Sequence, residues 1–302
     1  IKRILERLGF TDIRSIDMSN NRTNMNHRIV EEYNIFSRVS PEQKKDLIKA
    51  LKSNGHIVAM TGDGVNDVLA LKESDCSIAM ASGSDAARNV SEIVLLDSDF
   101  DAIPKVIDEG RQTINNIERS SSLFITKTIY AMLLAIIFLF IPMNYPFEPI
   151  QLSLISSITI GIPSFVLALE PNKSKVQGKF VINILKKSLP GGLTIVINVI
   201  SVMVIAKIFN INSEEISTMS VILVAMTGFI LLYKICYKFN LIRLIMYIVL
   251  IILFLSCIIG LSTIFEIVML KPISLIYILL LFILDIGLFN FLYNFFDKNL
   301  IK

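Results

Sequence analysis

The chain has 302 residues, 53% of them hydrophobic and 18% charged, with a formal net charge of +3 and a mean hydropathy of +0.65. This composition excludes a disordered chain and argues against an ordinary soluble enzyme; the small, scattered basic excess speaks for no nucleic acid partner. Lys, Arg, Asp and Glu crowd residues 1–120, whereas residues 123–296 are mostly Ile, Leu, Val, Phe and Met, so a polar piece is joined to a membrane piece.

Residues 1–9 read as the end of an amphipathic helix closed by Gly9, and the opening on Ile1 instead of Met leads us to expect a missing N-terminal part. PEQKKDLIKALK at 41–52 predicts a helix with Ser40 as N-cap and Pro41 at its first position. HIVAM at 56–60 predicts a short strand. A Gly/Asp loop follows, then a helix over 65–72, a strand over 76–80, a helix over 84–89 and a strand over 93–96. This alternation predicts an α/β fold with a parallel sheet covered by helices. Ligands of such sheets sit at the carboxyl ends of the strands, which puts the loop after HIVAM at the active edge.

From about residue 101 a helical stretch runs on without a strong break, polar at first and then wholly apolar; it reads as a stalk entering the bilayer. Apolar runs follow at about 150–169, 189–209, 216–236, 241–264 and 273–296, each near the ~20 residues that cross a hydrocarbon core. With the stalk, an all-α bundle of six spans is expected. The loops alternate accordingly. The turn 142–149 lacks Lys and Arg, the next loop holds Lys173, Lys175, Lys179, Lys186 and Lys187, and the one after is acidic. Lys234, Lys238 and Arg243 come next, then only Lys271, and finally Lys298 and Lys302. By the positive-inside rule the N-terminal domain and the C-terminus are cytoplasmic, in a multi-pass protein of the cell membrane. Of three cysteines, Cys236 and Cys257 lie in apolar runs and read as packing thiols.

The segment Thr61-Gly62-Asp63-Gly64-Val65-Asn66-Asp67 carries the chemistry. Two glycines allow a sharp turn and close approach of a ligand, and the helix start offers N–H groups to a phosphate. Asp63 and Asp67 would repel that phosphate unless a cation intervened, which implies Mg²⁺. Lys44 supplies a point charge for a phosphoryl oxygen.

FSRVSPEQKKDLIKAL, MTGDGVNDVLALKESDCSIAMASGSDAARNVSEIVLL and EGRQTINNI together resemble the C-terminal half of a P-type cation-transporting ATPase. The resemblance covers the end of a phosphorylation domain of haloacid-dehalogenase-like fold (1–100), a stalk (101–120) and the last six membrane helices (121–302). It implies ATP hydrolysis through an aspartyl-phosphate, coupled to ion movement, with ATP and Mg²⁺ as cofactors. On that analogy Asp63 and Asp67 ligate Mg²⁺ and Lys44 neutralises the phosphoryl group. Asn66 and Asp67 complete its hydrogen bonds, and Thr61, Gly62 and Gly64 line the cofactor. The family's DKTGT nucleophile and TGE loop do not occur here, so the fragment alone is expected to be inactive and to need the missing N-terminal part.

Polar residues inside spans mark an ion pathway: Lys127 and Thr128 in the stalk span, Ser156 and Thr159 in the next, ahead of Gly161-Ile162-Pro163. Where related calcium pumps carry a Glu, an Asn, an Asn and an Asp, this chain has Ala131, Thr128, Ser156 and Ile160, while their Thr is kept as Thr159. Two bound calcium ions are therefore not expected; a single divalent cation is, Ca²⁺ ahead of Mg²⁺ or Mn²⁺. Lys127 reads as a counter-charge or as a snorkelling side chain, and Asp285, Glu266 and Asn290 as packing polar groups. Two other readings stay open: a non-catalytic membrane subunit derived from a pump, and a phosphatase-like domain fused to a transporter.

Overall fold

The computed structural model describes Gly9 and residues 11–19, 27–141 and 143–299; the helix end expected over 1–8 lies outside the described residues, as do Pro142 and Lys302. The chain divides into two compact units, Ile1–Val106 and Ile107–Lys302.

In the first unit, β1 (Ser15–Asp17) pairs in parallel with β2 (Ile35–Ser37) across α1 (His27–Glu32). Then come α2 (Pro41–Ser53), β3 (Ala59–Gly62), α3 (Val68–Glu73), β4 (Cys76–Met80), α4 (Asp85–Val90) and β5 (Ile93–Leu95). β3, β4 and β5 form a three-stranded parallel sheet in that order, the helices supplying the crossovers that parallel pairing needs. Leu71, Ala79 and Ala87 are buried between sheet and helices. The start of α2 is fixed by a reciprocal cap. The Gln43 N–H donates to Ser40 Oγ at 3.3 Å, and the Ser40 N–H donates to Gln43 Oε1 at 2.9 Å.

Two boundaries differ from expectation. The strand placed at 56–60 lies at Ala59–Gly62, because the loop before β4 has already engaged Val58. The Val58 N–H donates to Asp75 Oδ2 at 2.9 Å and its carbonyl accepts from the Asp75 N–H at 2.9 Å. Thr61 and Gly62 take up the pairing with Ile78 and Ala79 instead. The helix expected from 65 begins as a 3₁₀ turn, Val65–Asp67, ahead of α3.

The second unit holds six helices long and apolar enough to cross a membrane: α5 (Ala102–Phe140), α6 and α7 (Pro149–Ser156 and Ile162–Leu169), α8 (Phe180–Phe209), α9 (Ser213–Ile235), α10 (Leu241–Gly260) and α11 (Pro272–Asn299). α6 and α7 form one span joined by a π turn, Ser157–Gly161. Helix α8 starts nine residues earlier than its apolar run and passes through Pro190. Its polar first turns find partners there: Lys187 Nζ lies 2.7 Å from Glu118 Oε1 and Lys186 Nζ 3.2 Å from Asp297 Oδ1. Helix α9 is central, with buried side chains packed against α5, α8, α10 and α11. The outer face of α11 is apolar (Leu279, Leu280, Ile283, Leu284) and its inner stripe is Ser274, Ile278, Asp285 and Phe289. That inversion suits a hydrocarbon solvent, with polar groups satisfied inside.

Candidate functional site

The Gly/Asp loop leaves the carboxyl end of β3. Asp67 sits at the end of the 3₁₀ turn, 8% exposed. Its Oδ1 is 2.6 Å from Lys44 Nζ on α2, and its Oδ2 accepts the Gly64 N–H at 3.3 Å. One carboxylate thus ties α2, the loop and the start of α3 together. Gly62 makes this possible, since a Cβ there would stand 2.5 Å from Asp67 Cβ. A real Cβ essentially never comes so near.

Asp63 is arranged differently. Its backbone carbonyl accepts the Ser84 N–H at 2.7 Å, so the loop after β4 grips the main chain while the residue stays exposed. Among the described residues its carboxylate has no hydrogen-bond or ion-pair partner. Asn66 is also exposed and Thr61 half-buried at the strand end. The predicted set therefore splits. Lys44, Gly62, Gly64 and Asp67 are in direct contact, whereas Asp63 and Asn66 face solvent beside them. The donor set suits Mg²⁺, which keeps several waters and takes one or two carboxylates: Asp63 is free to serve, while Asp67 already faces an ammonium. No group of three His, Cys, Asp or Glu side chains gathers for a metal among the described residues. Ser84 was not singled out from the sequence; its role as the α4 N-cap, its Oγ accepting the Ala87 N–H at 3.2 Å, was the signal that could have found it.

In the second unit the four pathway residues do not converge. Thr128 is exposed and its hydroxyl donates to the Phe124 carbonyl at 3.2 Å. Ser156 and Thr159 bond back to Leu152 and Ile155 at 2.6 and 2.8 Å. Lys127 and Thr159 line one small cavity with Tyr130 and Thr126. Thr159 is buried in the π turn, against Gly228 of α9, where a Cβ would meet its Cγ2 at 2.9 Å. The π turn lies directly ahead of Ile162 and Pro163, with the Ile162 N–H donating to the Ser157 carbonyl.

A polar centre without a local sequence signal lies just past α7. Glu170 is buried, and its carboxylate accepts from Arg243 Nε at 2.8 Å, Arg119 Nη1 at 3.2 Å and the Asn240 amide. Burial pushes its carboxyl up, but the bonds from Arg243 and Asn240 and the charge of Arg119 outweigh that and hold it below the usual carboxylate range. Asn116 donates to the carbonyls of Ala168 and Glu170, and Asn115 to those of Asn172 and Ser174. The segment after α7 is thereby fastened to α5.

Residues 2–75 match the haloacid dehalogenase-like hydrolase family. The chain is 50% identical over 176 residues to the "Calcium-transporting ATPase CtpE" of Mycolicibacterium smegmatis, an alignment covering 55% of this chain and 22% of that protein. It is 39% identical over 252 residues to the "Probable cation-transporting ATPase exp7" of Streptococcus pneumoniae, covering 80% of this chain and 32% of that one. Against the "Calcium-transporting ATPase" of Bacillus subtilis the figures are 36% over 150 residues, 49% and 17%. The chain spans at most about a third of the length of these curated relatives.

Proposed function

Because the chain carries a haloacid dehalogenase-like hydrolase domain and is homologous over much of its length to bacterial cation-transporting P-type ATPases, we propose that it works as the C-terminal part of an ATP-driven cation pump. Its nucleophilic aspartate would then lie in an N-terminal part outside this sequence. The observation that carries the reading is the Lys44–Asp67 pair locked to the Gly64 N–H, with the Asp63 carboxylate left free beside it.

Phosphoryl transfer depends on positioning and on neutralising charge, and each group in the loop has a part in that. Asp67 is a positioning residue. Its 2.6 Å contact holds the Lys44 ammonium at the loop, where it can face a phosphoryl oxygen. Asp63 is the Mg²⁺ ligand, Asn66 a hydrogen-bond donor to the phosphoryl group, and Thr61, Gly62 and Gly64 leave the backbone open to it. Asp63 would hold a Mg²⁺ ion, which would offer positive charge to the phosphoryl group.

The transported ion is a divalent cation, with Ca²⁺ first because two of the relatives above are named calcium-transporting. Its path runs by Thr159 at the π turn, with Lys127 as neighbouring counter-charge. The polar unit and the C-terminus lie on the cytoplasmic side, in keeping with the Lys-rich segment 173–187.

The test uses the full-length protein: cation-stimulated ATP hydrolysis and acyl-phosphate formation at varied Mg²⁺. Asp63→Asn is expected to raise the Mg²⁺ requirement and Thr159→Ala to weaken cation activation. Acyl-phosphate formation by the present 302-residue chain alone would overturn the reading.

A further inference from the structure

Helix α11 is apolar along almost its whole length, yet it carries a carboxylic acid midway between Pro272 and Asn299. At 1.5 Å per residue, Asp285 stands about 20 Å from either helix end. It is 1% exposed and points into the bundle. The Asn198 amide on α8 donates through Nδ2 to Asp285 Oδ2 at 2.7 Å and to Thr227 Oγ1 on α9 at 3.1 Å. Thr227 lies 3.4 Å from Asp285 Oδ2, but its hydroxyl has the Leu223 carbonyl at 2.9 Å as the nearer acceptor.

From this arrangement we propose that Asp285, with Asn198 and Thr227, is a proton-binding site in the interior of the membrane unit. An ionised carboxylate has about four lone-pair sites to satisfy, and here it is offered one close neutral N–H. In hydrocarbon surroundings that leaves the ion far costlier than the acid.

Among the described residues, the charged groups on α8, α9 and α11 form no ion pair with Asp285. Helix α8 bears Lys186, Lys187 and Lys207, and α9 bears Glu214, Glu215 and Lys234. Asp297 and Lys298 lie at the end of α11 itself, and Lys271 just before its start. Most are engaged elsewhere: Lys186 with Asp297, Lys187 with Glu118, Glu215 with Lys271, and Lys234 over the Tyr293 ring at 5.0 Å. Along the chain Lys234 stands about two turns, ~10 Å, beyond Thr227. A metal ion does not fit either. Ca²⁺ asks for six or more oxygens, and the Asn198 amide presents its NH₂ to Asp285 Oδ2 and Thr227 Oγ1. Turning that amide over would bring the side-chain oxygens to four, Asp285 Oδ1 and Oδ2, Thr227 Oγ1 and Asn198 Oδ1, still short of that number.

The site rests on the six apolar helices and not on the pump reading. Infrared spectroscopy of the full chain in lipid nanodiscs tests it. Wild type at neutral pH is expected to show the C=O stretch of a protonated buried carboxylic acid, shifted in D₂O. Asp285→Asn should lose that band, Asp285→Glu should keep it at a moved position, and Asp297→Asn should leave it intact. Absence of the band in wild type at neutral pH, or its persistence in Asp285→Asn, overturns the proposal. So does its loss on adding Na⁺ or Ca²⁺ at constant pH, which would make the site one for a metal cation.

Discussion

Asp67 and Asp285 are the same functional group in two different solvents. In the polar unit, Asp67 is nearly buried but reaches a lysine whose side chain stays about a third exposed. In the membrane unit, Asp285 meets an amide and a hydroxyl and, among the described residues, no cation. Glu170 stands between the extremes, buried like Asp285 yet matched by two guanidiniums at the end of a span. Depth decides the partner. Near water a carboxylate is stabilised by opposite charge, and at mid-span it is stabilised by losing its own.

The largest effect that would sharpen this contrast is expected at Glu170. Glu170→Ala leaves Arg119 and Arg243 buried and facing each other, for a loss of about 3–5 kcal/mol, read as a lowered denaturation midpoint in detergent. The same group sets a pH dependence. Its carboxyl is held low in the folded protein, so its stabilisation is complete above the ordinary carboxylate range and disappears as pH falls through the folded value. Acid titration should therefore destabilise wild type more steeply than Glu170→Gln.

Next in size is Gly62→Ala. The added Cβ meets Asp67 Cβ at 2.5 Å, and overpacking of this kind costs about 1–3 kcal/mol. Limited proteolysis after Met60 would report a loosened loop; unchanged resistance would mean that the loop yields freely. The Lys44–Asp67 pair should show a coupling of about 1.5 kcal/mol, the low end for bonds to charged groups, in a double-mutant cycle with Lys44→Met and Asp67→Asn. A coupling near zero would remove the contrast with Asp285. Smallest is Thr128→Ala, expected to stay within about 0.5 kcal/mol because the exposed hydroxyl bonds back to Phe124 within its own helix; Thr159→Ala should lower thermal stability more, being buried against Gly228.

Much of this organisation was legible before any coordinates. Helix α2 was announced by Ser40 and Pro41, and β4 by its compact apolar run. Strands β1 and β2 and helix α1 were not: SID and HRIVEE are mostly polar and lack an apolar run like the IVL of the equally short β5, and the IFS of β2 ends on a serine. Lys44 and Asp67 were chosen for their chemistry and do touch. Asp63 was chosen with them and stands apart from the pair.

What the linear chain decided unaided was the partition: charge density and apolar run length separate a polar α/β piece from six spans, because solvent transfer depends on composition alone. Which side chains meet across the chain was decided by the fold. Separations of 51 positions from Arg119 to Glu170 and of 87 from Asn198 to Asp285 leave no local signal of either contact. Only helix packing sets the rotation that turns Asp285 inward to an amide and Glu170 toward two arginines.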